Sequence, residues 1–262
     1  MHGELEREVL KKAIKDVIDQ NHILKSNIRF ENGKLIQVIK ENNDWEVDFF
    51  EIQKKWLDVE NYLFHPFDLE NGWLFRIGLF SSVESKAMLT FSMHHILSDG
   101  IGVMIFIKNI ESRYNQILNN LGGSFSGLPL QYADYSVWQR SQGQIVVNDE
   151  QLGFWKEALS DVKFAISLPT DKARSSQVNF SGKLESIMLC TEELDHLKGI
   201  SKKGNVSLFG VLFSGLAIIL HKWTNETNFT IRTVNSNRKH PDLDLMIGNF
   251  IDFLPIPVHI NK

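Results

Sequence analysis

One cysteine, Cys190, occurs in 262 residues, so no disulfide framework and no thiolate metal site can be built. An excess of charge of one sign is also lacking, with 28 basic residues against 32 acidic ones. The formal net charge is −4, which leaves no electrostatic footprint for nucleic acid. No apolar run approaches the roughly eighteen residues of a membrane span. The nearest, Ser207 to Trp223, is too short and contains polar positions. The N-terminus lacks a signal-like apolar segment, so the cytoplasm is the expected compartment and no membrane partner is expected. Asn-x-Ser/Thr triplets such as Asn205-Val206-Ser207 carry no weight without secretion. Internal repeats and low-complexity tracts are absent. So are a His-Glu-x-x-His zinc motif and a Gly-x-Ser-x-Gly nucleophile elbow.

What is present is a hydrophobic content of 43%, enough for a packed core, in a length that suits one large domain or two small ones. Leu5, Val9, Leu10, Ala13, Ile14, Val17 and Ile18 form the stripe of an amphipathic helix. Strands are predicted over Lys34 to Lys40 and Glu46 to Phe50, separated by an Asn-Asn-Asp turn. A helix over Gln53 to Leu63 follows, then paired strands at Trp73 to Phe80 and Lys86 to Met93. A long helix runs from Gly100 to near Asn120 and ends at Leu121-Gly122-Gly123. Gly122 to Pro129 reads as a loop, Glu150 to Leu159 as a helix, and the polar stretch Asp161 to Phe180 as a linker between two lobes. Beyond it lie a strand near Leu184 to Leu189, helices from Thr191 and from Ser207, and strands at Phe229 to Val234 and Ile251 to Val258. Helices mixed with strands, without regular βα alternation, predict an α+β class.

The stretch Met93-His94-His95-Ile96-Leu97-Ser98-Asp99-Gly100 carries the most chemistry. Alternation before it predicts a strand and helical spacing after it predicts a helix. The histidines therefore fall at a strand end, where a rigid element can aim a side chain into a cleft. Neighbours on a strand leave opposite faces, so the pair cannot easily share one ion, and no metal is expected. Parity places His95 with Phe91 and Met93 on the more apolar face, as a core histidine. Asp99 is placed to cap the following helix. Gly100 lets backbone or substrate approach closely, or only starts the helix. Tyr135 and Trp138, at i and i+3, read as core or as channel lining.

The same stretch resembles the HHxxxDG core motif of nonribosomal peptide synthetase condensation domains, relatives of chloramphenicol acetyltransferase. Phe67-Asp68-Leu69 with Leu74, Arg76 and Leu79 resembles that family's FDLxxxPLxRxxL segment. Tyr132-Ala133-Asp134-Tyr135-Ser136-Val137-Trp138-Gln139 resembles its YxDYAxWQ segment, and Ile247-Gly248-Asn249-Phe250-Ile251-Asp252-Phe253-Leu254-Pro255 its IGxFVNTLP segment. The four stand in the family's order. Weaker similarity covers Gln151 to Trp155 and Ser207 to Phe209. Departures are Ile101-Gly102, where many members have a serine at the second place, the loosely matching Gln20 to Ser26, and Asp252-Phe253 in place of Asn-Thr.

The resemblance implies a chloramphenicol acetyltransferase-like two-lobed fold. Its N-terminal lobe would span 1–160 and lack the first strand; a partial C-terminal lobe would span 161–262. A fragment of this kind is expected to expose a sheet edge and an apolar patch. The implied reaction is amide formation between a carrier-bound acyl or peptidyl thioester and a carrier-bound aminoacyl group. The resemblance gives the reactive role to His95, against the parity argument, and support to His94, Asp99, Gly100 and Arg76, with Arg76 pairing with Asp99. It makes Tyr135, Trp138 and Arg238 substrate-channel candidates. The protein needs no cofactor of its own, since phosphopantetheine belongs to the donor and acceptor peptidyl carrier proteins. The adenylation domain of the same synthetase is a further partner. Two alternatives stay open: a free-standing acyltransferase of the same superfamily, and an inactive truncated remnant.

Overall fold

The computed structural model describes residues 5–42, 44–51, 56–81, 87–121, 128–143, 149–173 and 182–260. The chain forms two compact units: Met1–Val146 with Asn235–Asp252, and Val147–Val234 with Phe253–Lys262. These do not coincide with a division at 160/161. The returning stretch 235–252 joins the first unit because Leu243, Met246 and Phe250 cluster with Tyr135 and Tyr132.

In the first unit, helix α1 (Arg7–Gln20) buries Leu10, Ala13, Ile14, Val17 and Ile18, the stripe set by helical spacing. It lies along α3 (Gly100–Leu118), which contributes Ile105, Phe106, Ile110 and Tyr114 to the same core. Two polar contacts fix the pairing. Glu6 N donates to the Tyr114 hydroxyl at 3.0 Å, and Arg113 Nε donates to Asp16 at 2.7 Å.

Strands β1 (Ser26–Glu31) and β2 (Lys34–Ile39) form an antiparallel hairpin. Its turn is Asn32-Gly33, with φ of 51° and 76°. Both central residues are left-handed, which suits the right-handed twist of the flanking strands. β1 has no counterpart in the sequence reading, and the Asn-Asn-Asp turn predicted between β2 and the next strand includes Asn43, which lies outside the described residues. The next strand, β3 (Asp48–Glu51), pairs instead in parallel with β4 (Phe75–Ser81), which pairs antiparallel with β5 (Ala87–Met93). Parallel neighbours need a long crossover, and α2 (Trp56–Phe64) lies on it. Central β4 is buried on both faces, through Phe75, Ile77, Leu79 and Phe80. Helix α4 (Tyr132–Gly143) is anchored by Gln131, whose side chain accepts from His22 N at 3.0 Å and donates to Gln20 O at 2.9 Å.

The second unit holds α5 (Asp149–Ala158), α6 (Thr191–Gly204), α7 (Leu208–Thr224), and the strand pair β6 (Asn228–Asn235) and β7 (Asp252–His259). Ala217, Phe229 and Val258 form its core. Glu193 accepts from Cys190 N at 2.8 Å and so caps α6; Ser207 caps α7 by accepting from Gly210 N at 3.1 Å. Both helices end on a left-handed asparagine, Asn205 and Asn225, a conformation that asparagine tolerates. The strand predicted at Leu184 to Leu189 does not form. Its pattern suits a strand, but no described segment pairs with it, and Leu184, Ile187 and Met188 are about 90% exposed. Much of the loop predicted at Gly122 to Pro129 and the end of the predicted linker lie outside the described residues.

Candidate functional site

Strand β5 ends at Met93, and residues 95–97 form a turn before α3. The histidines therefore sit just past the strand, and the parity argument loses its premise. His94 is half-buried and pinned. Its backbone N–H donates to Leu74 O at 2.8 Å, and its carbonyl accepts from Leu97 N at 3.0 Å. Its ring Nδ1 accepts from Ile96 N at 3.1 Å. That contact ties the ring to the backbone of the turn. The ring of Phe67 meets it edge-to-face at 6.1 Å. His95 is exposed and makes no hydrogen bond to any described residue. Gly100, at the start of α3, is exposed, and a Cβ there would meet nothing within 4 Å.

Next to this turn lies a buried ionic network. The Asp99 side chain is fully buried and pairs with Arg238, whose side chain is 4% exposed. Arg238 Nη2 donates to Asp99 Oδ1 at 3.2 Å, Gly102 N donates to Oδ1 at 2.7 Å, and Phe250 N donates to Oδ2 at 3.1 Å. The backbone adds Asp99 N donating to Gly248 O at 3.1 Å. Arg238 Nη1 donates to the carbonyls of Leu243 and Met246, and its guanidinium stacks over Phe250 at 4.1 Å. A buried carboxylate needs such compensation. The helix-cap expectation for Asp99 holds.

The expected Arg76–Asp99 pair is corrected by this geometry: the cation facing Asp99 is Arg238. Arg76 faces a different segment. It donates to His65 O at 2.6 Å and Pro66 O at 2.7 Å, and stacks over Phe67 at 4.0 Å. It thereby fastens the chain after α2 to the sheet, and the partial burial of the guanidinium lowers its pKa. Nor is Arg238 exposed as a channel wall would be. Asp68, in the same segment, accepts from Glu70 N and Asn71 N at 3.0 and 3.2 Å. Those bonds hold its carboxyl below the usual carboxylate range.

Sequence reasoning named three further contributors without giving them a role in the site. Gly102 packs so tightly that a Cβ would overlap Ser98 Oγ and lie 3.2 Å from Gly248 O. Gly248 sits against the Tyr132 ring, which a Cβ would overlap. The Tyr132 hydroxyl donates to Asn249 O at 2.7 Å, and burial raises its pKa. The sequence reading noted Gly248 only as part of a motif and Gly102 only beside Ile101 as a departure from one. Tyr135 is buried against Phe250, with ring centroids 4.8 Å apart, while Trp138 is half exposed. Both line a pocket of about 360 Å³ with Leu130, Leu243 and Met246, so they lie together. Among the described residues no cluster of three His, Cys, Asp or Glu side chains is arranged to hold a metal ion. No helix among them is long and apolar enough to cross a membrane.

With this geometry in hand, the comparisons define the class. The condensation-domain family matches residues 1–262, and the chain belongs to that family. It is 28% identical over 256 residues to gramicidin S synthase 2 of Brevibacillus brevis, covering 97% of this chain and 6% of that one. It is 29% identical to surfactin synthase subunit 1 of Bacillus subtilis (strain 168), covering 100% of this chain and 7% of that one. The chain thus spans a small part of these relatives. Among solved structures it is similar to the X-domain from teicoplanin biosynthesis, with a TM-score of 0.87 at 21% identity, covering 99% of this chain and 59% of that one. It is also similar to the condensation domain of the monacolin K polyketide synthase MokA, with a TM-score of 0.78 at 17% identity over 100% and 61%. The epimerization domain from the third module of tyrocidine synthetase B gives 0.82 at 17%, over 98% and 61%. The α+β, chloramphenicol acetyltransferase-like fold is therefore established. It is common to domains described as condensation and as epimerization domains, so the reaction must be read from the site.

Proposed function

We propose that this chain is the condensation domain of a nonribosomal peptide synthetase acting in the cytoplasm. It joins a thioester donor on one phosphopantetheine carrier to the amine of an aminoacyl group on another. The new C–N bond forms at the thioester carbonyl and the C–S bond breaks. His95 takes the amine proton as the first bond forms and returns it to the departing sulfur. Much of the acceleration comes from holding two tethered reactants together. An adenylation domain of the same synthetase loads the acceptor carrier, and the chain itself needs no cofactor.

One observation carries this reading. His95 is an exposed imidazole with no partner among the described residues, set on a turn immobilised by His94 and by the Asp99–Arg238 network. A base kept free on a rigid support is arranged for an external proton. The test mixes the chain, alone and joined to flanking synthetase segments, with one carrier bearing an acyl thioester and one bearing an aminoacyl thioester. The acceptor carrier should gain the donor's acyl mass. Transfer that also proceeds to coenzyme A without an acceptor carrier would favour a free-standing acyltransferase; no transfer in either form would favour an inactive remnant.

A further inference from the structure

The pocket shared by Tyr135 and Trp138 lies wholly within the first unit, and none of its lining residues belongs to the turn that carries the histidines. Its volume of about 360 Å³ suits a side chain or small ligand. Tyr135, Leu243 and Met246 are buried and make an apolar floor, with the half-exposed Trp138 beside them. The polar groups at its edge are of one sign. Asp134 and Asp242 both line it and both are exposed. One oxygen of Asp134 accepts from Gln131 N at 2.8 Å, and Asp242 Oδ2 lies 3.3 Å from the His240 imidazole. Among the described residues no lysine or arginine lines the pocket. Arg238 donates to the carbonyls of Leu243 and Met246, but its charge is met by the buried Asp99.

We propose that this pocket docks an arginine side chain of a polypeptide partner. Two carboxylates at the edge call for a cation, and an apolar floor calls for the hydrocarbon stem that arginine carries. A guanidinium is planar, stacks on an indole face and forks onto carboxylates, so Trp138 with Asp134 and Asp242 suits it better than a compact ammonium. Exposed apolar surface continues beside the pocket. Leu130 is 41% exposed, Val137, next to Trp138, is 69% exposed, and Leu245, between Leu243 and Met246, is 74% exposed. An anchor in a pocket, surrounded by contacts that exclude water, is the anatomy of a protein interface. A free cation would fill the pocket and leave that surround bare. The inference does not depend on the role given to His95.

The probe is acetyl-Leu-Arg-Leu-amide, titrated calorimetrically into the full chain at low salt, against the same peptide with uncharged citrulline in place of arginine. The arginine peptide should bind roughly tenfold more tightly, and high salt should erode the difference. Asp134→Asn, Asp242→Asn and Trp138→Ala, checked for unchanged melting, should each cut that preference by about twofold or more. Asparagine at 134 keeps an acceptor for Gln131 N; should that variant still unfold, the other two decide. Asp244→Asn removes an exposed carboxylate outside the pocket and should leave the preference unchanged. Equal binding of the two peptides, or binding of neither, overturns the inference. So does a preference that survives the pocket variants, or one that falls as far in Asp244→Asn. Acetyl-arginine-amide binding as tightly as the peptide would give the pocket to a small cation and overturn the polypeptide assignment.

Discussion

Removing the Arg238 guanidinium should be among the most damaging single changes in the first unit, and its size can be worked from the geometry. Arg238→Met fills similar volume but leaves the fully buried Asp99 carboxylate with two backbone donors and no cation. The Leu243 and Met246 carbonyls lose their donor as well. Breaking one side of a buried pair costs about 3–5 kcal/mol, a large fraction of the 5–15 kcal/mol typical of a folded domain. For a chain of this size that corresponds to a fall in melting temperature of roughly 6–20 °C. Asp99→Asn keeps the helix cap but strands Arg238, at a similar loss. The double variant Asp99→Asn, Arg238→Met removes both charges and should recover much of it, giving a coupling of at least about 2 kcal/mol in a double-mutant cycle. Arg76→Ala loses hydrogen bonds to two carbonyls at a partly exposed site, and should cost about 1–2 kcal/mol with no coupling to Asp99. Urea unfolding at neutral pH reads all of these. Additive losses at 99 and 238, or strong coupling between 76 and 99, would refute the assignment.

The glycines should separate cleanly in the same assay. Gly100→Ala, facing open space, should fold within about 0.5 kcal/mol of the parent, whereas Gly102→Ala and Gly248→Ala should lose about 1–3 kcal/mol by overpacking. Gly248→Ala should be the worse of the two, because the Tyr132 ring it strikes is tethered to Asn249 O. Tyr132→Phe should cost about 1 kcal/mol for that hydrogen bond. The buried phenol's pKa is raised, so its contribution is present in full below about pH 10, the unfolded value, and falls as pH rises through the folded one. The urea midpoint of the parent should therefore decline more steeply above pH 10 than that of Tyr132→Phe. The apolar outer face of α7, with Phe209 and Trp223 each over half exposed, and the exposed Leu184 to Met188 stretch should drive self-association of the 262-residue chain. Sedimentation velocity showing a monomer at tens of micromolar would count against that.

Sequence made some parts of this protein legible and hid others for physical reasons. The stripe of α1 and the reach of α3 follow from local periodicity, and Asp99 before a helical pattern is a local capping signal. Asn32-Gly33 is also a local turn signal, and it locates the hairpin of β1 and β2. Leu184 to Leu189 shows the opposite limit: alternation describes what a strand offers a neighbour, but no neighbour is present among the described residues. The Asp99–Arg238 pair spans 139 positions and the Asp99–Phe250 bond 151, distances at which no pattern names a partner. The pairing of Arg76 with Asp99 rests on the family resemblance alone, and Arg76 lies on β4. Its backbone-carbonyl partners appear only once α2 and β4 are in place. His95 was legible as a candidate through its motif. Its exposure follows from the turn at 95–97, which begins after β5 ends at Met93, where alternation also ends the strand.

The central claim is that His95, and not His94, does the chemistry. Single-turnover transfer between loaded donor and acceptor carriers, followed by intact mass of the acceptor carrier, measures this directly in His95→Ala and His94→Ala proteins of verified fold. The account predicts a loss of about 10²–10⁴-fold for His95→Ala with an unchanged melting temperature. It predicts that His94→Ala loses stability, through the freed Ile96 N–H, and retains more activity than His95→Ala. Parent-level transfer by a folded His95→Ala protein would contradict it.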